Sequence, residues 1–487
     1  MREKLNLILL FLTLALGFGL RLYKLDIPLA DHHSWRQADT AAVARNFAKD
    51  HWDFFKPRID NMTPLHLGTP NSERLFMVEP PVYNSIVAGV YKIFGIEIRY
   101  ARLVSIAFSL GAMVFLYLIV SHFLGKTTGL LSAFFFAVLP FSVYYSRVVL
   151  PEPMILFLTL GMFWFAIKWL ATDSNKDYLL LTAFSALSFT QKTFPLFFLL
   201  PLAYLFLKKF GLSAFKQKKL YFWALLSLVP FVAWRWWVGQ FPEGTPANFW
   251  LFNQGNIRFK GAFFHWIFAK RIGELILGFW GVALLVLGLV LKPKKEGLFF
   301  YSWLLAIFIY ITVFAAGNVT HDYYQIPLIP ILAVFLGKGA NFLLFEKQEK
   351  FSRIMGVAAF VICTGLACAF SWYEVRGFYN IQSGVDLAGV AVGELTAKNA
   401  LVLTGDSNDA TLLYNTNRWG WTGGYASSFP NSKETIEKIK ELGGTIYVTT
   451  KFDKNSDFGK YMNDNYQVLK ETDQYIIFDL NNKETNE

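Results

Sequence analysis

Cysteine is nearly absent from this chain: Cys363 and Cys368 are the only two in 487 residues. Both fall in the last long apolar segment, and their spacing puts them on different faces of a helix. They read as small residues of a lipid-facing helix, and neither a disulfide framework nor a zinc motif is available. Charge is also sparse. Charged residues make up 17% of the chain, against 54% hydrophobic and 18% aromatic, and the mean hydropathy of +0.36 excludes an ordinary soluble domain. Familiar catalytic signatures are missing too. There is no Walker loop, no G-x-G-x-x-G, no H-E-x-x-H and no Ser-His-Asp order with a nucleophile elbow, which disfavours a nucleotide-driven pump and a zinc protease. No long-period repeat and no low-complexity segment occurs.

What the chain has instead is a series of apolar stretches of bilayer length, so it reads as a polytopic α-helical membrane protein. The predicted spans are 5–23, 101–121, 128–146, 153–171, 178–191, 194–208, 220–238, 272–291, 298–316, 324–343 and 354–372, about eleven transmembrane helices. The basic start MREK and the apolar run after it read as an uncleaved first helix, because no A-x-A site follows and Arg21, Tyr23 and Lys24 serve as interfacial anchors. The net charge of +11 reports orientation and contact with membrane lipids rather than nucleic acid. Arg2/Lys4, Lys126, Lys208/Lys209 with Lys216/Lys218/Lys219, Lys292/Lys294/Lys295 and Lys347/Lys350/Arg353 all fall on one side of an eleven-span chain. By the positive-inside rule that side is the cytoplasm. The N-terminus is then cytoplasmic in a cytoplasmic (inner) membrane, and the C-terminal segment is extracytoplasmic.

Two domains are expected: 1–372, holding the spans and the first external loop (24–100), and a soluble 373–487. In the loop, Ala38–Ala48 has helical composition. Pro80-Pro81 opens a second helix, Val82–Phe94, which Gly95 ends. It is too short to span comfortably and reads as interfacial, with Tyr83, Tyr91 and Phe94 as anchors. After Trp372 the composition turns polar. Strand-like runs at Leu401–Thr404, Thr445–Thr450, Tyr466–Lys470 and Tyr475–Leu480, with a helix capped by Ser432 and stopped by Gly443, predict a small α/β domain.

The polar clusters gather on the predicted outer face. Asp31, His33, Arg36, Gln37, Asp39, Asp60 and Glu79 lie in the first loop, within and after the run DHHSWRQADTAAVARNF. Arg147 and Glu152 follow in YYSRVVLPEP, then Gln191 and Lys192, then His321, Asp322, Tyr323 and Tyr324 in HDYY. Ionisable groups beside a bilayer are costly and are usually kept for a function. A carboxylate suits removal of a proton from an acceptor hydroxyl or amine. Arg, Lys or a metal suits the charge that develops on a phosphate leaving group.

The chain resembles the GT-C fold glycosyltransferases related to protein O-mannosyltransferases and lipid A aminoarabinose transferases, in a bacterial subgroup with a D-x-HSWRQADTA loop. The matching pieces are the first-loop acid, TAAVARNF, EPPVYNSIVAGVYKIFG, YYSRVVLPEP, SFTQKTFP and HDYYQIPLIP, over roughly 5–345. The resemblance implies an inverting glycosyltransferase that moves a sugar, hexose or pentose, from a polyprenyl-phosphate donor to a glycan, lipid or protein acceptor. It implies a first-loop acid as general base, Asp31 first and Asp39 second. It implies substrate and phosphate contacts among His33, Arg36, Gln37, Glu79, Arg147, Glu152, Lys192, His321 and Tyr323. Two positions depart from the better-known relatives: Arg36-Gln37 stands where they have Asp-Glu, and Glu79-Pro80-Pro81 where aminoarabinose transferases have Lys-Pro-Pro. The sequence names no cofactor, and a divalent metal held by His33, Glu79, Glu152 and His321 stays open, since imidazole and carboxylate suit several metals. The alternative from another class is a polytopic transporter or lipid flippase with an external binding domain.

Overall fold

Six helices in the computed structural model are long and apolar enough to cross a membrane: Glu3–Arg21, Ile98–Leu124, Glu152–Thr172, Phe194–Lys216, Asp322–Phe345 and Arg353–Tyr379. A seventh forms if Gly261–Ile276 and Gly281–Val290, bent by 114°, count as one broken span. The structure describes residues 2–65, 69–346, 353–406, 409–422 and 431–481; Lys347 and Lys350 of the last basic cluster lie outside them. The expected count of eleven is not reached among the described residues. All eleven segments are largely helical, but several are shortened. Lys126–Val138 stops because Leu139 takes an extended conformation ahead of Pro140. Gly278 and Phe279, both at positive φ, turn the chain between 276 and 281.

The chain forms two compact units. A helical unit comprises Met1–Leu25, Arg102–Arg235 and Asn248–Gly377, and a sheet unit comprises Asp26–Ala101, Trp236–Ala247 and Phe378–Glu487.

In the helical unit, small residues let helix backbones touch, which is how helices associate where lipid offers no hydrophobic drive. A Cβ on Gly288 would fall 1.9 Å from the Phe335 carbonyl oxygen, and one on Gly339 would fall 2.2 Å from that of Leu284. Gly337 meets Ser132 in the same way. These contacts knit 126–138, 281–290 and 329–345 together. Arg21 is fully buried at the end of the first span. It donates to the carbonyls of Phe136 (3.2 Å) and Ala137 (3.0 Å), which end the 126–138 helix, and to Ser146 Oγ (3.1 Å). The basic clusters also converge. Lys126 pairs with Glu3 at 2.9 Å, Lys208 donates to the Lys295 carbonyl at 2.7 Å, and Lys294 meets Glu346 at 3.1 Å.

The sheet unit holds five strands, β1 (Val402–Thr404), β2 (Gly420–Thr422), β3 (Ile446–Thr449), β4 (Gln467–Glu471) and β5 (Ile476–Asp479), in the order β2-β1-β3-β5-β4. β2, β1 and β3 are parallel; β5 runs antiparallel to β3 and β4. Alternate residues feed two cores. Val402, Val448 and Ile477 pack with Ala30, Val385 and Leu412 on one face, while Leu403, Tyr447 and Phe478 pack with Trp421, Ile436 and Ile439 on the other. Covering both faces explains the unbroken apolar runs of β1, β3 and β5. The four expected strands are present, and Ser432 caps the helix Lys433–Glu441 through Thr435 N (3.2 Å).

The first loop belongs to this unit. Its helix Ser34–Lys49 lies against Ala410–Thr416, where Thr411 Oγ1 meets Ser34 Oγ at 2.8 Å, and Asn415 Nδ2 donates to the Leu29 carbonyl at 3.0 Å. The helix Val82–Phe94 forms with the expected bounds. Two of its expected anchors are corrected: Tyr83 and Tyr91 are buried in the unit, at 1% and 2% exposure, so its free face carries Ile86, Ile93 and Phe94 instead.

Candidate active site

The sheet unit presents the first-loop residues around the N-terminal turns of Ser34–Lys49. His33 begins that helix in the left-handed conformation (φ 53), turning the chain from Asp31-His32 into the first turn. Asp31 is buried, and its Oδ1 accepts from Gln37 Nε2 at 3.1 Å. The same Gln37 nitrogen donates to the His32 carbonyl at 3.1 Å. His32 stacks on Phe378, with ring centroids 3.9 Å apart. One turn on, Arg36 Nη2 meets Glu79 Oε1 at 2.6 Å, both side chains nearly buried, and Arg36 Nη1 donates to Thr40 Oγ1 at 2.9 Å. Glu79 therefore neutralises Arg36 in this structure. Further along, Asp60 takes Arg45 into a buried ion pair, and the Arg45 guanidinium lies 4.0 Å from the Tyr414 ring centre.

Asp39 differs from these neighbours. It is partly exposed, and among the described residues its carboxylate meets no hydrogen-bond or ion-pair partner. Burial pushes its carboxyl up to about 7; Arg36 opposes that rise, and Asp409 and Asp60 add to it. A carboxyl poised there, with a free oxygen, matches the demands on a general base near neutral pH.

The helical unit brings the remaining candidates to one of its ends. Arg147 is fully buried, and its Nη1 donates to the Tyr23 carbonyl at 2.6 Å. Glu152 opens the span Glu152–Thr172 and pairs with Lys192, whose side chain keeps 23% exposure. Asp322 accepts from Tyr145 Oη and faces Arg271 Nη1 at 3.7 Å. His321 lies in an aromatic group, 5.5 Å from Tyr323 and 5.6 Å from Trp250 between ring centres. Tyr145 and Arg271 were missed as candidates. Tyr145 sits inside YYSRVVLPEP and was open to notice; Arg271 follows a loop with no helical period to aim it.

Glu79 faces Arg36 and Glu152 faces Lys192, so an ion on either carboxylate must displace a cation already there.

Residues 78–237 match the family model of dolichyl-phosphate-mannose-protein mannosyltransferases. No curated protein matches the chain in sequence. Solved structures do match. One is ArnT from Cupriavidus metallidurans bound to undecaprenyl phosphate, 14% identical, with a TM-score of 0.67 over 96% of this chain and 97% of that one. Another is the oligosaccharyltransferase of Archaeoglobus fulgidus in complex with Zn and sulfate, 12% identical, with a TM-score of 0.56 over 91% and 68%. The mycobacterial arabinofuranosyltransferase AftD is 11% identical, with a TM-score of 0.55 over 100% of this chain and 42% of that one. The resemblance read from the first loop and its following motifs is thus borne out, and this chain is an integral membrane protein with the GT-C fold of membrane glycosyltransferases.

Proposed function

We propose that the chain is an inverting glycosyltransferase that moves a sugar from a polyprenyl-phosphate donor to a hydroxyl or amine acceptor at the outer face of the membrane. The observation that carries this reading is the likeness, over nearly the whole of both chains, to a structure holding undecaprenyl phosphate. Of the two first-loop acids, Asp39 is the better suited to act as base, because Asp31 is buried against Gln37. An acceptor O–H gives its proton to the Asp39 carboxylate as its oxygen bonds to the anomeric carbon. The bond from that carbon to the phosphate oxygen breaks on the opposite side, and polyprenyl phosphate leaves with the electron pair. Lys192, whose side chain keeps 23% exposure, is the proposed phosphate ligand, and His33, His321 and Tyr323 are the proposed acceptor contacts. The joined basic clusters of the helical unit support a cytoplasmic N-terminus in the inner membrane and an extracytoplasmic C-terminal segment.

The test is sugar transfer by the purified full chain in nanodiscs. It uses a panel of polyprenyl-phosphate hexoses and pentoses with membrane extract as acceptor. One donor should turn over in wild type and in Asp31→Asn at comparable rate, and fail in Asp39→Asn. Loss in Asp31→Asn with retention in Asp39→Asn moves the base to Asp31. One feature favours a second reading, a transporter or flippase: the break between Gly261–Ile276 and Gly281–Val290 resembles the interrupted helices of such proteins. Lipid or solute flux in liposomes, with no turnover of any donor, selects it.

A further inference from the structure

A cavity of about 140 Å³ opens in the sheet unit beyond the C-terminal end of Ser34–Lys49, away from its N-terminal turns. Its walls carry three cations, Lys56, Arg58 and Arg74, with His51 beside them and one carboxylate, Asp50. Its other notable wall is Trp419, 43% exposed immediately before edge strand β2. The volume is about that of a cavity that accepts one benzene ring, so it takes a single six-membered ring.

The site is built rather than incidental. Arg74 lies in the left-handed region (φ 59), which residues other than glycine enter rarely. Its neighbours over-determine that conformation. The fully buried Asn71 spans the turn, accepting from Leu75 N at 2.8 Å and donating to the Leu75 carbonyl at 3.0 Å. Ile59 N donates to the Arg74 carbonyl at 2.9 Å, and Arg74 Nη1 donates to the Ile59 carbonyl at 3.1 Å. The result holds the Arg74 guanidinium over the Trp419 indole, 3.6 Å from its ring centre. Such strain persists where surrounding structure enforces it, and it gathers at functional sites. The outcome is one rigid aromatic plane, a planar cation on it, and two further cations at the mouth.

We infer that this cavity is a binding subsite for an anionic saccharide, a pyranose bearing a carboxylate or a phosphate. The part of the Trp419 indole that Arg74 leaves uncovered, in a side chain 43% exposed, supplies apolar surface for the C–H face of the ring. Arg74 and Arg58 supply forked donors for the anion, and Lys56 adds charge. A neutral sugar uses only the indole, whereas an anion also meets Arg74 and, with Glu73 facing them at 3.9 and 3.6 Å, Arg58 and Lys56. A free inorganic anion uses only the cations. Binding of such a ligand stands on the cavity itself; that it belongs to the acceptor glycan rests on the transfer reading above.

Saturation-transfer NMR on the full chain in nanodiscs tests this, with glucuronate, glucose 6-phosphate, glucose and inorganic phosphate as probes. Ring protons of glucuronate or glucose 6-phosphate should be saturated, and the two arms tell carboxylate from phosphate. Glucose should bind at least about tenfold more weakly. Trp419→Ala and Arg74→Ala should each weaken the anionic sugars by about tenfold or more, and Trp419→Phe should recover part of the loss. If Arg74→Ala unfolds the protein, Arg74→Gly suits the positive φ and removes the same guanidinium. Equal binding of glucose and glucuronate overturns the inference. So do unchanged binding in both truncations and full competition by inorganic phosphate or by vesicles of anionic lipid. Asp39→Asn should bind the anionic sugars as wild type does. Binding that persists in a chain with no transferase activity leaves the subsite standing and removes only the catalytic reading.

Discussion

Ionising Asp39 costs more in the folded chain than in the unfolded one, because burial lifts its carboxyl from an ordinary 3.8 to about 7. Between those values the folded state binds the extra proton, so stability falls as pH rises from about 4 to about 7 and stays lowered above that. Asp39→Asn removes the cost. It should melt higher than wild type at pH 8 and no higher at pH 4, while transfer drops by about 100- to 10,000-fold. Wild-type kcat/KM should rise through pH 7 as the base ionises. A melting gain of equal size at both pH values places the effect elsewhere than this carboxyl. Glu79 predicts the opposite balance. Glu79→Gln takes away the carboxylate facing the buried Arg36, and should destabilise by about 3–5 kcal/mol in denaturant unfolding. Sequence brought these residues into view because DHHSWRQAD is dense in ionisable groups beside a span. It placed Asp31 ahead of Asp39. Asp31 stands nearer the membrane in the chain, yet after the turn at His33 it lies buried on Gln37 while Asp39 is only partly buried, a distinction of backbone conformation that spacing does not carry.

At the scale of elements, strands and helices with strong local signals were readable. Ser432 with its early acids marked one helix, Pro80-Pro81 and Gly95 bounded another, and the apolar runs of β1, β3 and β5 marked strands. β2 was not, because its three residues owe their pairing to partners rather than to pattern. Gly420 faces the Val402 backbone so closely that a Cβ would fall 1.8 Å from that carbonyl oxygen, and the same glycine bridges to Asn61 of the first loop. Gly420→Ala should therefore detach the edge strand and the loop together. A loss of about 1–3 kcal/mol is expected, with faster hydrogen exchange in both Met62 and β2 amides. Exchange that rises in β2 alone breaks the link. Fewer than eleven helices keep the length of a full span among the described residues, for a related reason. Apolar composition marked eleven segments, but Leu139 ahead of Pro140 and the turn at Gly278-Phe279 divide or shorten helices that hydropathy alone joins.

For the whole molecule, the sheet unit draws on three separated stretches, Asp26–Ala101, Trp236–Ala247 and Phe378–Glu487. Ala30 sits in the core beneath β1, and Met62 packs on the opposite face. A fragment of 373–487 should accordingly lack part of both cores and show no cooperative thermal transition by circular dichroism. Joining 26–101 to it in trans should restore one; a sharp transition in the fragment alone shows that the loop is dispensable. The same division sets an order of events during synthesis. At about 5–20 residues per second, the first loop emerges on the order of tens of seconds before the strands it needs. Throughout that interval Asp31, Asp39 and the Arg74 turn have no completed sheet to hold them. The newborn chain is thus committed to its membrane while its first loop is still unfinished, and that loop is the stretch most open to a protease or a chaperone until the last residues arrive.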